Sequence, residues 1–322
     1  MEPHVLATDI GGTNTRVAIV NSQGRLTNRF AIPTEGHTGR DSVVHRLVSV
    51  IEKTLASTKR SQIIGVGVAV AGPTDLYTGV MHNPPHLPGW DGFTLKPVLE
   101  DRLSLKVSVA NDATLAALAE HRFGAGKGYD DLVYVTVSTG IGGGFIINGR
   151  PHSGSRGYSG EIGHMVIAPD GPACDCGGRG CLESVSSGTA VARDAKDRLS
   201  SGENSIMLQA VGGSISNITS VIVANAARTG DHTASSVMEK ASAYLGIGLS
   251  NLVVALDPDL IIIGGGMSES LDLMMPALTR ELDRNCTRWL GSPTPIVKSS
   301  LGDNAAILGA AALAFSDWGD GA

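Results

Sequence analysis

The strongest constraint on the fold is a repeat. Residues 5–25, VLATDIGGTNTRVAIVNSQGR, and residues 132–150, LVYVTVSTGIGGGFIINGR, present the same parts in the same order. An apolar alternating run leads into a Gly/Thr-rich turn, a second apolar run follows, and Asn and a Gly-Arg turn close the unit. Period-two patterning broken by glycine predicts two β-hairpins, with Asp9 corresponding to Thr136 and Asn21 to Asn148. Copies in both parts of a 322-residue chain predict two related domains, with a ligand cleft between them. A structural hairpin turn needs only one or two glycines. STGIGGG (138–144) has four in seven, beside two hydroxyls. Bare backbone N–H groups and hydroxyls of this kind cradle phosphate oxygens. A third run, LIIIGGGMSES (260–270), reads as a buried strand, three glycines around Gly265 and a helix start. GAGKGY (124–129) is not a Walker loop, because no Ser or Thr follows Lys127.

Between these pieces the period changes to that of helices. Val43, Val44, Leu47, Val50 and Ile51 share one face after Asp41 and Ser42, and Leu115, Leu118 and Ala119 do so after NDAT. A long buried helix is predicted from about Ser235 to Leu256. Strands alternating with helices predict an α/β protein. Glycine, 42 of 322 residues, is about twice as common as usual, which fits backbone lying close to a ligand. The net charge of −6 argues against nucleic acid as the main partner. The first twenty residues carry Asp9 and Arg16 within their apolar alternation and do not read as a signal peptide. No apolar run reaches the roughly 18 residues that span a bilayer. Three thiols clustered in eight residues, a set that always leaves one unpaired, suit a reducing compartment, so a soluble cytoplasmic protein is expected.

Two stretches carry chemistry. In VSVANDATLAALAE (107–120) a strand ends at Asn111 and Asp112 and a helix begins. Both residue types cap helices. A carboxylate at that junction also faces the crevice of an α/β fold. There it can accept a proton from a hydroxyl undergoing phosphoryl transfer. Asp112 is the candidate base, and the Asn111 amide a candidate partner of a neighbouring sugar hydroxyl. The second stretch is CDCGGRGC (174–181), which with His164 gives the spacing H-x9-C-x-C-x4-C. Three thiolates and an imidazole suit a closed, tetrahedral, structural zinc. Such an ion would clamp Glu161 and Glu183, which flank its ligands and can accept sugar hydroxyls, while the second imidazole nitrogen donates to a sugar oxygen. Cys286 stands apart and reads as a core thiol.

These motifs together resemble the ROK family of bacterial sugar kinases and sugar-responsive repressors. The resemblance covers nearly the whole chain through DIGGTNTR (9–16), VAVAGPTD (68–75), NDATLAALAE (111–120), STGIGGG (138–144), GEIGHM (160–165), CDCGGRGCLE (174–183) and IIIGGGMS (261–268). It implies an actin-like (ribonuclease H-like) two-domain sugar kinase fold with the active site in the interdomain cleft. The expected division is residues 1–115 and 116–302, with the zinc loop 164–183 in the second domain and a C-terminal helix near 303–317 returning to the first. Asp112 matches the family's catalytic base. Gly72, Asn111, Asp112, Glu161, His164 and Glu183 match its sugar site, and His164, Cys174, Cys176 and Cys181 its zinc site. Asp9, Gly11, Gly12, Thr13 and Asn14, with Thr139 and Gly140, match its phosphate loops, and Gly265 its adenosine side. Implied activity is phosphorylation of a hexose 6-hydroxyl by ATP with Mg2+, in a protein that commonly dimerises.

The family's repressors carry an N-terminal helix-turn-helix. Here the first glycine loop already starts at residue 9, so an enzyme without a nucleic-acid partner is expected rather than a sugar-binding regulator. His86 in HNPPHLPGW (82–90) stands where many glucokinases of the family have an Asn reaching the sugar. N-acetylmannosamine kinases often carry Gly-Arg where this chain has Gly72-Pro73. The absence of that Gly-Arg makes glucose the expected hexose, with N-acetylmannosamine or another hexose of the family as the alternative.

Overall fold

The structure is a computed structural model that describes residues 2–56, 58, 60–287, 290–291 and 293–318. The chain opens as a hairpin of β1 (His4–Ile10) and β2 (Asn14–Asn21), paired antiparallel with Asp9 opposite Arg16. β3 (Leu26–Pro33) extends it, and β4 (Ile63–Val70) and β5 (Val107–Asn111) join on the other side in parallel, giving the order β3-β2-β1-β4-β5. β1, β4 and β5 are buried along nearly their whole length. This is why they read as continuous Val/Ile/Ala runs, as parallel strands covered on both faces do. The second hairpin, β6 (Leu132–Val137) and β7 (Ile141–Ile147), lies within a sheet of order β10-β9-β6-β7-β8, with β8 at Arg150–His152, β9 at Leu260–Gly264 and β10 at Ile296–Lys298. Both predicted hairpins are present, and the fold is α/β with two mixed sheets.

Two compact units are distinguished. One comprises residues 1–134, 144–160 and 300–322, the other residues 135–143 and 161–299.

In the first unit, α1 (Arg40–Ala56) buries Val43, Leu47, Val50 and Ile51, the face anticipated from their spacing, and α2 (Lys96–Leu103) buries Leu99 and Leu103. α3 (Asp112–Phe123) is buried from Ala113 to Glu120. The terminal helix Ala305–Trp318 explains why. Gly309 lies against the Leu115 carbonyl, and the carbonyl of its neighbour Ala310 lies against Gly67 of β4, so close that a Cβ on either glycine would overlap backbone. The helix is wedged between α3 and the sheet, and Ala-rich faces with glycine at the contacts permit that approach. We expect Gly309→Ala to cost about 3 kcal/mol, the upper range for overpacking a rigid contact. Urea denaturation of the variant checks this. Glu120, fully buried, ties the same region together: its carboxylate accepts from Ala125 N (2.8 Å), Leu301 N (3.0 Å) and Ser300 Oγ (3.1 Å).

In the second unit the long helix runs His232–Leu256, starting three residues earlier than its periodicity suggested, because Asp231 caps it by accepting from Ala234 N (2.8 Å). Cys286 is buried and donates to the Leu282 carbonyl, as a core thiol does. Among the described residues, no helix is long and apolar enough to cross a membrane.

Candidate active site

In the first unit the hairpin turn Gly11–Asn14 is closed by Gly11 N donating to Asn14 O (3.0 Å). Thr34 fastens it from outside, donating from Oγ1 to Gly11 O (2.7 Å) and from N to Thr13 O (2.8 Å). The turn is held rigid from behind while Gly12, Thr13 and Asn14 stay exposed. Asp9, just before it, is buried and paired with Arg16 (Oδ2 to Nη1, 3.0 Å). Burial pushes its carboxyl up, and the Arg16 guanidinium opposes that shift. This partner was missed in the sequence, although hairpin register puts position 16 directly opposite position 9.

The β5–α3 junction separates the two candidates there. Asn111 is the helix cap, its Oδ1 accepting from Ala113 N (2.9 Å) and Thr114 N (3.0 Å). Its Nδ2 donates to Gly72 O (3.0 Å), which leaves the second amide hydrogen for another acceptor. Asp112 is the first helical residue and half-buried, with Oδ1 accepting from Ala113 N (2.8 Å). Because Asn111 does the capping, the Asp112 carboxylate is not required for it. Gly72 has φ of +115° and packs on Pro84, where a Cβ would lie 2.9 Å from the proline Cα and Cβ.

In the second unit the turn at 138–140 is exposed at Ser138 and Thr139. Its carbonyls are taken by Gly188 N (2.7 Å, to Ser138 O) and Thr189 Oγ1 (2.8 Å, to Thr139 O), which tether the turn from one side. Gly265, with φ of +78°, lies against the end of β6, where a Cβ would come within 2.8 Å of Thr136 Oγ1. Two of the three glycine runs therefore meet in this unit. Glu183 connects them to the cysteine loop. It sits two residues after Cys181, at the start of α4 (Leu182–Ser186), and its Oε2 accepts from Ile141 N (2.8 Å). A side chain on Gly140 would collide with that carboxylate.

The cysteine loop brings its four candidates together. One ligand atom from each of His164, Cys174, Cys176 and Cys181 lies within 4.8 Å of the others. Cys176 Sγ is 3.7 Å from Cys181 Sγ, and His164 Nδ1 is 3.8 Å from Cys174 Sγ. Zinc–sulfur bonds of about 2.3 Å set tetrahedral sulfur–sulfur edges of about 3.8 Å, so the set fits the ion. The loop is a tight turn in which Cys174 N donates to Gly178 O (2.9 Å) and Gly177 N to Cys174 O (3.0 Å). Gly177 and Gly180 have φ of +88° and +68°, values disfavoured for other residues. Burial and the neighbouring thiols push Cys181 up to about 12. A backbone N–H from Gly178 holds Cys176 down. Three thiols this close ionise together only around a cation.

With Nδ1 turned to the cysteines, His164 presents Nε2 to Glu161 Oε2 at 3.9 Å. Burial raises the Glu161 carboxyl; the His164 ring opposes the shift and Glu183 adds to it. The unit thus holds two carboxylates and one imidazole nitrogen beside a rigid loop, a set suited to several hydroxyls at fixed angles.

Comparison with known proteins agrees with the motifs. A glucokinase of Halalkalibacterium halodurans is 33% identical over 307 residues, covering 94% of this chain and 92% of that protein. A ROK family glucokinase from Streptomyces griseus, solved with glucose and AMPPNP, superposes with a TM-score of 0.83 at 32% identity, over 97% of this chain and 99% of that one. A ROK family transcriptional regulator, a homologue of the E. coli MLC protein, superposes with a TM-score of 0.87 at 25% identity, over 97% of this chain and 78% of that one. Residues 5–316 match the ROK family as a whole, with the two-domain actin-like fold of its sugar kinases, and the chain belongs to that family.

Proposed function

We propose that the protein is an ATP-dependent hexose kinase that phosphorylates the 6-hydroxyl of glucose. The observation that carries the reading is Asp112: a half-buried carboxylate at the start of α3, directly after Asn111, which accepts from both Ala113 N and Thr114 N as the helix cap, in a chain 31–33% identical to glucokinases over most of its length. In the reaction Asp112 accepts the 6-hydroxyl proton as the oxygen attacks the γ-phosphorus. The new O6–P bond forms, the bond to the β–γ bridging oxygen breaks, and ADP leaves. Gly72, Asn111, Glu161, His164 and Glu183 bind the hexose. Gly11, Gly12, Thr13 and Asn14, with Thr139 and Gly140, form the two turns that bind the donor phosphates, the donors coming from the exposed Gly12, Thr13, Asn14 and Thr139, and Gly265 lies on the adenosine side. Asp9 would hold the Mg2+ that accompanies ATP, its Oδ1 having no protein partner among the described residues; the ion supplies charge neutralisation of the phosphates. His164, Cys174, Cys176 and Cys181 would hold a structural zinc that fixes His164 and, through Cys181, the neighbouring Glu183. ATP as donor rests on the AMPPNP-bound relative. Cytoplasmic location, expected from the clustered thiols, and a homodimer or higher homo-oligomer, expected from family resemblance, are part of the reading.

The alternative substrate is N-acetylmannosamine, since a putative kinase of that sugar from Listeria monocytogenes superposes with a TM-score of 0.77 at 25% identity. The test is ADP release from Mg-ATP with glucose, mannose, fructose, N-acetylglucosamine and N-acetylmannosamine in parallel. The expected result is the highest kcat/KM on glucose. Preference for N-acetylmannosamine would replace glucose, and ADP release on none would remove the kinase reading.

A further inference from the structure

The family resemblance places His86, in the stretch 82–90, where an Asn reaches the sugar. Its geometry divides differently. Leu87 and Trp90, both buried, anchor the loop, and Leu87 N donates to Pro84 O (3.2 Å) and Trp90 N to Leu87 O (3.2 Å). Asn83 N donates to Asp91 Oδ1 (2.9 Å) across its base. Between these anchors, consecutive residues rest on two different glycines. Pro84 and Pro85 pack on Gly72, where an added Cβ would lie 2.9 Å from Pro84 and 3.4 Å from Pro85 Cδ. His86 packs on Gly12, where an added Cβ would lie 2.9 Å from both Cγ and Cδ2 of the imidazole. The His86 carbonyl in turn sits on buried Gly36, so tightly that a side chain there would overlap it. The ring is therefore held by its backbone, with its edge against the exposed tip of the first glycine turn. Neither ring nitrogen has a hydrogen-bond partner among the described residues.

We propose that His86 is a donor-phosphate contact and not a sugar contact: its imidazole donates a hydrogen bond to the terminal phosphate held by the Gly11–Asn14 turn. This rests on the assignment of that turn to phosphate made above. The prolines of the loop lean on the Gly72 side, to which Asn111 is bonded, and the histidine leans on the phosphate side. One rigid loop thus sets the spacing between the two substrates. An Asn at position 86 would be shorter by one atom and unable to cover Gly12 with a ring, so the histidine changes which substrate the position serves.

The test is a KM split. His86→Ala is expected to raise KM for Mg-ATP about tenfold, the usual size of one hydrogen bond to a charged group, and to leave KM for glucose within twofold. His86→Gln, which keeps a donor, is expected to recover most of the loss. AMPPNP affinity should fall in His86→Ala while ADP affinity holds, because only the terminal phosphate is contacted. In the wild-type protein, the His86 ring resonance, assigned by its loss in His86→Gln, should shift on adding AMPPNP and not on adding glucose. This readout needs no folded alanine variant. A rise in KM for glucose alone, a resonance that answers to glucose alone, or no change in either KM would overturn the proposal. Absence of hexose-dependent ADP release by the wild type would instead remove the kinase reading, and the AMPPNP titration would still decide the role of His86.

Discussion

Asp112→Asn is expected to lower kcat about a thousandfold, within the 10²–10⁴ typical of a positioned general base, while glucose and AMPPNP affinities change by less than about threefold. The substitution keeps the shape and removes the proton acceptor. Asn111 still accepts from Ala113 N and Thr114 N, so α3 keeps its cap and the fold is not at risk. The loss should therefore appear in kcat and not in KM, the signature of an interaction needed in the transition state. Steady-state turnover beside calorimetric titration of glucose separates the two. Unchanged turnover would show that the proton goes elsewhere.

The second large effect concerns the cysteine loop. Purified protein is expected to carry one zinc per chain. Cys176→Ser, or removal of the ion by a chelator, should weaken hexose affinity by roughly 10–100-fold, the size of effect seen when groups that orient a site are lost. The route is short. Without the ion the ring of His164 is no longer fixed through Nδ1, so Nε2 loses its aim beside Glu161. The turn at Gly177–Gly180 then no longer positions Cys181, nor Glu183 two residues on, which accepts from Ile141 N and carries the proposed hexose contact. Cys286→Ser is the control: that thiol is buried, bonded to the Leu282 carbonyl, and should leave metal content and hexose affinity unchanged. Metal analysis and glucose titration of the two variants give the comparison. Equal behaviour of Cys176→Ser and Cys286→Ser would remove zinc from the account.

What could be read in the sequence follows from how local each signal is. The hairpins, α1 and α3 announce themselves by periodicities of 2 and 3.6 within a dozen residues, and the cluster of His164 with three cysteines by its spacing along the chain. The Asp9–Arg16 pair was hidden only by one further step, since it follows from hairpin register once the turn length is known. The packing of His86 on Gly12 joins residues 74 positions apart and leaves no trace in either stretch, because a glycine kept clear for a neighbour looks like one kept clear for a ligand. Glu120 shows the same limit. It closes the stretch NDATLAALAE as a carboxylate whose distant partners the sequence does not mark, yet it is fully buried beneath Ser300 and Leu301. Asn111 and Asp112 were equivalent as caps by residue type, and only the hydrogen bonds separate the cap from the candidate base.

The most direct test of the central claim is product identity. Incubation with Mg-ATP and glucose, followed by 31P and 13C NMR, should show one ADP formed per glucose consumed, with the phosphate on O6. ADP formed without a sugar phosphate, or glucose bound without any ADP, would contradict it.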